Sequence, residues 1–503
     1  MSSLLAEKKL YLFLLSLIFL SASIFGNESI PIKALISDFN INELINLYNS
    51  SDEFFRSPNT SLRITLFALG VFIFLSSLLS KSRNKLKNTK TFHILINLTL
   101  FIFFVSILIS QNIYNISAII LILISLFYAV FFSYKKLHIY EVRLLSSYFL
   151  FFAYPFWSST FHDTSLSELD NYLRFLLAIP IYLSIREVPI SKNFLICSFM
   201  IGSLLSGIIA IYFFVNTNLS IRAFTSSASI FGAISLIFLL FTICSKNYFD
   251  SNFPKIRYLF YFSAIFGLIA IFLSGSRSLL LPLSIFVLAL YFSKSKILDF
   301  NKVTLTSSIL SIALILLFSN LPIMNRIINS YESTYNYITE GSEHYYLHQD
   351  SIVPRANIWK ATINMIKTDP VNGIGLNNFT QGLNEQIRAN QIQPIKRDSN
   401  NPSAGMNHAH NQYLDIFVKT GFMGFVLLLY LLYSHFSFFR YSYDNLYSES
   451  NLISILGLVA LFSFCIIMLF NTILSHQQLT LFMVITLVTL CGIKSNILWG
   501  KDN

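Results

Sequence analysis

Leu479-Thr-Leu-Phe-Met-Val-Ile-Thr-Leu-Val-Thr-Leu-Cys-Gly-Ile493 carries no charge along its length, and a stretch of that kind belongs among lipid tails, where a helix satisfies its own backbone. Similar runs recur back to residues 10–26, about 12 to 14 of them in all. Those at residues 141–157 and 173–185 are short, and residues 273–293 can be divided in more than one way. Composition points the same way. Apolar residues make up 54% of the 503 and charged residues 12%, about half the charge that clothes a soluble globular protein. The expected fold is an all-α polytopic membrane protein in three parts. Residues 1–320 supply N-terminal transmembrane helices, residues 321–412 one large loop with short helices, and residues 413–503 the C-terminal transmembrane helices.

A net charge of +11 would suggest nucleic acid as a partner for a soluble protein. Here membrane topology distributes the basic residues, and the expected partners are membrane lipids, not nucleic acid. With Met1 in the cytoplasm, Lys81, Arg83, Lys85, Lys87 and Lys90 fall inside, then Lys135 and Lys136, then Lys246, Lys255 and Arg257, then Lys294, Lys296 and Lys302. The outside connections are poorer in Lys and Arg, apart from the long loop, whose length takes it out of the rule's reach. An even number of spans leaves both termini cytoplasmic. Residues 10–26 have the look of a signal peptide but are read as the first span, because a chain that re-enters the membrane so often needs no cleaved leader. Cys197, Cys244, Cys465 and Cys491 all sit in apolar runs, so no disulfide framework or metal site is expected from them.

The long loop is where chemistry is expected, since connections of that length usually have a function. Its first third mixes Tyr331, Tyr335, Tyr337, Tyr345 and Tyr346 with Glu332, Glu340, Glu343, His344 and His348; these aromatics suit either a sugar ring or the membrane interface. Pro354 then opens a run that stops at Asp369-Pro370, with Ile358, Ala361, Thr362 and Met365 at helical spacing, so a short amphipathic helix is expected. Arg355 falls in its first turn, where a bound anion would gain from the free N–H groups and from a guanidinium fork; the alternatives are a solvated arginine or a pair with Asp350. Gly373-Ile-Gly375 lacks the third glycine of a dinucleotide fingerprint and reads as a turn.

The loop closes in Asn407-His408-Ala-His410-Asn411-Gln412, just before the next apolar run. A histidine there can act as general base toward a hydroxyl. His408 and His410 could also form part of a metal site, but the only carboxylates to complete it are scattered ones such as Asp398 and Asp415, and no metal or other cofactor is expected. Interfacial residues without chemistry are the third reading. Asp415 and Lys419, four apart on the following helix, are expected to neutralise each other. Arg277, between Ser276 and Ser278 at the end of a span, either snorkels or meets a partner, and with Arg222 and Arg355 it gives three guanidiniums on the outer side.

Taken together, His410-Asn411, nine residues, Gly421, two residues and Gly424 resemble the signature of bacterial O-antigen ligases. Pro354-Arg355-x-x-x-Trp359-x-Ala361, Asp369-Pro370-x-x-Gly373-x-Gly375-x-x-x-Phe379 and Ser276-Arg277-Ser278 are similar to what the wider ligase and polymerase superfamily shows. The resemblance implies transfer of a glycan from an undecaprenyl diphosphate carrier to a hydroxyl of lipid A-core, at the periplasmic face of the inner membrane, with no nucleotide sugar or metal. His410 would be the base and Arg277, Arg355 and Arg222 would hold the diphosphate, with His408, Asn411, Gly421, Gly424 and Trp359 in support. Alternative acceptors are a carrier-linked repeat, as in a polymerase, or a protein serine or threonine. A polysaccharide flippase, which would carry mid-membrane charges and internal repeats, is the more distant reading. Asp38, Glu43, Asp52 and Glu53 in the first outer loop depart from a typical ligase, as does the chain's length, but those acids lack metal-ligand spacing.

Overall fold

In a computed structural model of the chain, the described residues are 89–131, 136–159, 169–217, 227–292, 352–395, 406–441 and 449–499, with isolated positions such as 162 and 403. The spans expected before residue 89, those around residues 293–330, the first-loop acids, Asp350 and Arg222 lie outside them. We number the described helices α1 (Thr89–Ser106), α2 (Gln111–Phe131), α3 (Ile139–Ser158), α4 (Asp170–Glu187), α5 (Lys192–Thr217), α6 (Ala228–Cys244), α7 (Lys246–Asn252), α8 (Arg257–Ser274), α9 (Leu280–Phe292), α10 (Ile352–Thr368), α11 (Phe379–Arg388), α12 (Gln412–Arg440), α13 (Glu449–Met468) and α14 (Gln477–Trp499). No strand occurs among the described residues.

Six of these helices are long and apolar enough to cross a membrane, and α6 with α7, bent by 57° at their junction, makes a seventh if counted as one span. The hydrophobic pattern sorts them into layers. In α14 and α6 nearly every side chain is buried, as expected of helices apolar all round. The outer helices instead expose large aliphatic and aromatic side chains, Ile94 at 66%, Val215 at 70% and Phe262 at 57%, a surface that only lipid accommodates. Close approach between α5 and α8 rests on small residues. A Cβ at Gly207 would overlap the Phe266 backbone, and one at Gly267 would overlap Ser203 Oγ, which itself donates to Ser263 O at 2.8 Å.

Helices α3 and α4, matching the two short apolar runs, carry charge that is turned inward. Glu141 is fully buried where α3, α4 and α14 meet. It accepts from Tyr182 Oη (2.8 Å), Arg186 Nε (2.5 Å) and Ser495 Oγ, and from the His138 N–H that it caps (2.6 Å). A buried ion pair is tolerated when its remaining valences are met in this way. At the same end, Lys494 Nζ donates to the carbonyls of Phe438, Phe439 and Tyr441, closing the C-terminus of α12. The opposite end gathers the start of α4, where Arg174 bonds Asp170 Oδ2 and the Gln477 carbonyl, the start of α12, the turn between α13 and α14, and α10 with α11. Those last two helices have a core of their own, built from Ile358, Ala361, Met365, Phe379, Leu383 and Ile387. The apolar face expected from Ile358, Ala361, Thr362 and Met365 is the face that is buried.

Candidate functional site

The site starts from a break in α12. Gly421 has φ 70° and ψ −171° inside an otherwise helical segment, a combination essentially restricted to glycine. Breaking a helix releases carbonyl and N–H groups that must find partners elsewhere. The turn after α10 supplies most of them. Ile374 N–H donates to Val418 O (2.8 Å), Gly375 N–H donates to Lys419 O (3.1 Å), and Phe422 N–H donates to Pro370 O (2.9 Å). The fourth group, Thr420 O, accepts from Tyr154 Oη on α3 at 3.2 Å. The turn needs its own glycines for this contact: Gly373 and Gly375 have φ of 74° and 89°, and a Cβ on Gly373 would come within 2.5 Å of Gly421 N. The turn starts with Asp369 Oδ1 accepting from Asn372 N–H at 3.0 Å.

This junction fixes α10 against α12 and brings Trp359 to the histidine loop. Trp359 Nε1–H donates to Ala409 O at 2.9 Å, and Ala409 N–H donates to Asp415 Oδ1 at 2.9 Å. Asp415 Oδ2 takes the Lys419 ammonium at 3.0 Å. The i, i+4 pair expected from sequence is therefore present, and it also grips the backbone between the two histidines. Ala409 is fully buried against the α10–α11 core. Asn411 caps α12, its Oδ1 accepting from Leu414 N–H (3.1 Å) while its Nδ2 donates to Leu469 O (3.1 Å).

Held on both sides, His410 adopts φ 52°, a left-handed conformation that costs a non-glycine residue about 1 kcal/mol or more unless its surroundings impose it. Its ring meets His408 edge to face at 4.4 Å, and His408 meets His476 at 5.8 Å. Burial, followed by the neighbouring His408, Arg355 and His476, lowers the His410 pKa to about 3. Burial also lowers His408, and burial with His408 lowers His476 to about 4. The three imidazoles are thus neutral at physiological pH. They sit ring to ring, and among the described residues no group of three or more His, Cys, Asp or Glu is placed to hold a metal ion. Beside the loop, a polar cavity of about 150 Å³ is lined by Asn171, Tyr172, Asn377, Asn407, Lys419 and Ser475, among others.

The structure thus brings His408, His410, Asn411 and Trp359 together, while Gly421 and Gly424 lie further along α12, packed against the 371–372 turn and against Thr420 and Tyr154. Arg355 is near enough to His410 to weigh on its protonation. Arg222 and the side chain of Arg277 lie outside the described residues. The Arg277 backbone opens a short 3-10 turn after the left-handed Gly275 ends α8, and Asn471 Nδ2 reaches its neighbour Ser278 Oγ at 3.5 Å. His476 and the Asn471–Thr472 turn were not singled out from sequence. The available signal was a polar cluster, Asn471, Thr472, Ser475, His476, Gln477 and Gln478, between the last two apolar runs, on the same end as His410.

Gly421→Ala is expected to cost at least about 1 to 2 kcal/mol from backbone conformation alone, and more because its Cβ would overlap the Val371 carbonyl. Gly424→Ala meets mainly the side chain of Thr420 and should cost less. Thermal unfolding of the two variants in detergent checks the order; equal midpoints would contradict this account of the break.

Residues 262–429 match the family model described as O-Antigen ligase. A protein of Haemophilus influenzae, described only as uncharacterized, is 25% identical over 398 residues, covering 77% of this chain and 95% of its own length. The matched span contains Ser276-Arg277-Ser278, α10, the glycine turn, the histidine loop and both Gly421 and Gly424, so the part of the chain that holds the candidate site is similar to the O-antigen ligase family.

Proposed function

We propose that the protein is an O-antigen ligase of the bacterial inner membrane, in which the loop of residues 321–412 faces the periplasm between the transmembrane parts 1–320 and 413–503. It would move a glycan from undecaprenyl diphosphate to a sugar hydroxyl of lipid A-core. The observation that carries this reading is the presentation of a neutral His410 beside Arg355, on a loop clamped from both sides at Ala409.

A hydroxyl is a weak nucleophile until a base takes its proton, a contribution of about 10² to 10⁴ in rate. In the proposed step the acceptor oxygen bonds to the anomeric carbon, its proton passes to His410, and the bond from that carbon to the phosphate oxygen breaks. The electron pair leaves with the undecaprenyl diphosphate, and a single displacement inverts the anomeric centre. Arg355 stabilises the departing charge from the first turn of α10, and Arg277 and Arg222 are assigned the same role by their place in the chain. Donor binding also sharpens the base. Burial and positive neighbours depress His410 in the unloaded protein, whereas a diphosphate anion beside it would raise its affinity for a proton.

The first test is a lipopolysaccharide gel on a deletion strain complemented with wild type or His410→Asn, a residue that tolerates the left-handed backbone but offers no base. Unsubstituted core, with full-length polymer retained on its carrier, is the expected result. Core bearing a single repeat would mean a polymerase, and an intact ladder would overturn the assignment. The pH dependence gives a second test. Because the His410 pKa lies below the ordinary 6.5, the base stays available as pH falls, so the acid limb of kcat/KM should sit below pH 6.5. Arg355→Gln removes a charge that lowers it, so the limb should move upward.

A further inference from the structure

Helices α10 and α11 leave an open groove of about 420 Å³ on the loop, within the size range of small-molecule sites. No residue described above as part of the transfer chemistry lines it. Five of its lining residues are primary amides, Asn364, Asn378, Gln381, Gln386 and Gln391, and its floor is formed by Met365, Ile374 and Gly382. Glu385 is the one charged residue among its lining, and no lysine or arginine contributes. A solvated helix surface ordinarily carries Lys and Glu in quantity; α11, Phe-Thr-Gln-Gly-Leu-Asn-Glu-Gln-Ile-Arg, has three amides against one acid and one base.

The amides are held in place. Asn364 Nδ2 donates to Gln386 Oε1 at 3.0 Å, Gln386 Nε2 to Ala361 O at 2.9 Å, Asn378 Nδ2 to Ile374 O at 2.7 Å, and Gln381 Nε2 to Glu385 Oε1 at 2.9 Å. Each bond uses one N–H and fixes the plane of the amide. Asn364, Asn378 and Gln381 keep their carbonyl oxygens and second N–H groups for another partner. A ligand suited to this surface carries closely spaced groups that both donate and accept, is not anionic, and has an apolar face to lie on Met365 and Ile374. A pyranose ring meets all three requirements, and phosphate meets none.

We propose that this groove binds an uncharged or amino sugar, as a subsite for the part of the lipid-linked glycan remote from the reacting bond. The proposal rests on the glycan-transfer reading above. Helix α11 connects the groove to the histidine loop, since Thr380 Oγ1 on its other face donates to Met406 O at 2.8 Å.

The test is binding of the strain's own oligosaccharide, released from its carrier by mild acid, to the purified full chain in detergent, followed by saturation-transfer NMR. Gln381 and Gln391 are exposed, so Gln381→Ala with Gln391→Ala should fold; Gly382→Leu fills the groove by a separate route. Wild type and His410→Asn should bind alike, and both groove variants about tenfold more weakly, as loss of a few hydrogen bonds implies. Groove variants that bind like wild type, or a wild type that binds no released oligosaccharide, would overturn the subsite while leaving the lipopolysaccharide result intact. Groove-dependent binding in a strain whose ladder survives His410→Asn would uphold the subsite and remove the ligase reading.

Discussion

The break at Gly421 is the constraint on which the candidate site depends. A membrane helix cannot leave backbone groups unpaired near lipid, so ending the regular hydrogen-bond ladder within α12 requires donors and an acceptor from outside it. The 370–375 turn and Tyr154 supply them. What looks like a local irregularity is therefore a joint between the segment carrying α10 and the helix bundle, with glycine required on both sides for close approach.

From that joint the position of His410 follows in steps. The docked turn fixes the end of α10, and α10 aims Trp359 at Ala409 O. On α12, nearly two turns before the break, Asp415 takes the Ala409 N–H. Two opposed bonds on one small buried residue leave the flanking histidines little freedom, and they hold His410 in a conformation it would rarely adopt alone. A side chain positioned in this way spends less of a reaction barrier on orientation than one on a free loop. Stored backbone strain at a single residue, surrounded by satisfied groups, is common at functional positions.

Much of this was legible in the sequence. The bundle could be read from composition and run length, α10 from its spacing and its Asp-Pro stop, and the Asp415–Lys419 pair from i, i+4 spacing. Gly373 and Gly375 could be read as a turn, but Gly421 and Gly424 were recognisable only through a family resemblance, because the physical reason for Gly421 is its contact with a segment about fifty residues away. Asp415's second bond, to the Ala409 backbone, gave no sequence signal, since nothing in the spacing shows which carboxylate oxygen is still available after Lys419 is paired. His476 was missed for a related reason: it enters the site through the packing of α13 and α14 beside α12, and a lone histidine at the end of an apolar run says nothing of its neighbours. The amide groove was hidden because asparagine and glutamine in a loop ordinarily signal solvent.

In the proposed reaction the clamped loop presents His410 as the base for transfer and not as a binding group. Its most direct test is to measure, on purified protein, donor binding and single-turnover transfer for wild type and His410→Asn with the same undecaprenyl diphosphate-linked glycan. Donor affinity within a factor of about two of wild type, with transfer slowed by about 10² or more, is the expected result. Transfer at the wild-type rate, or a loss of donor binding that accounts for the whole loss of transfer, would contradict it.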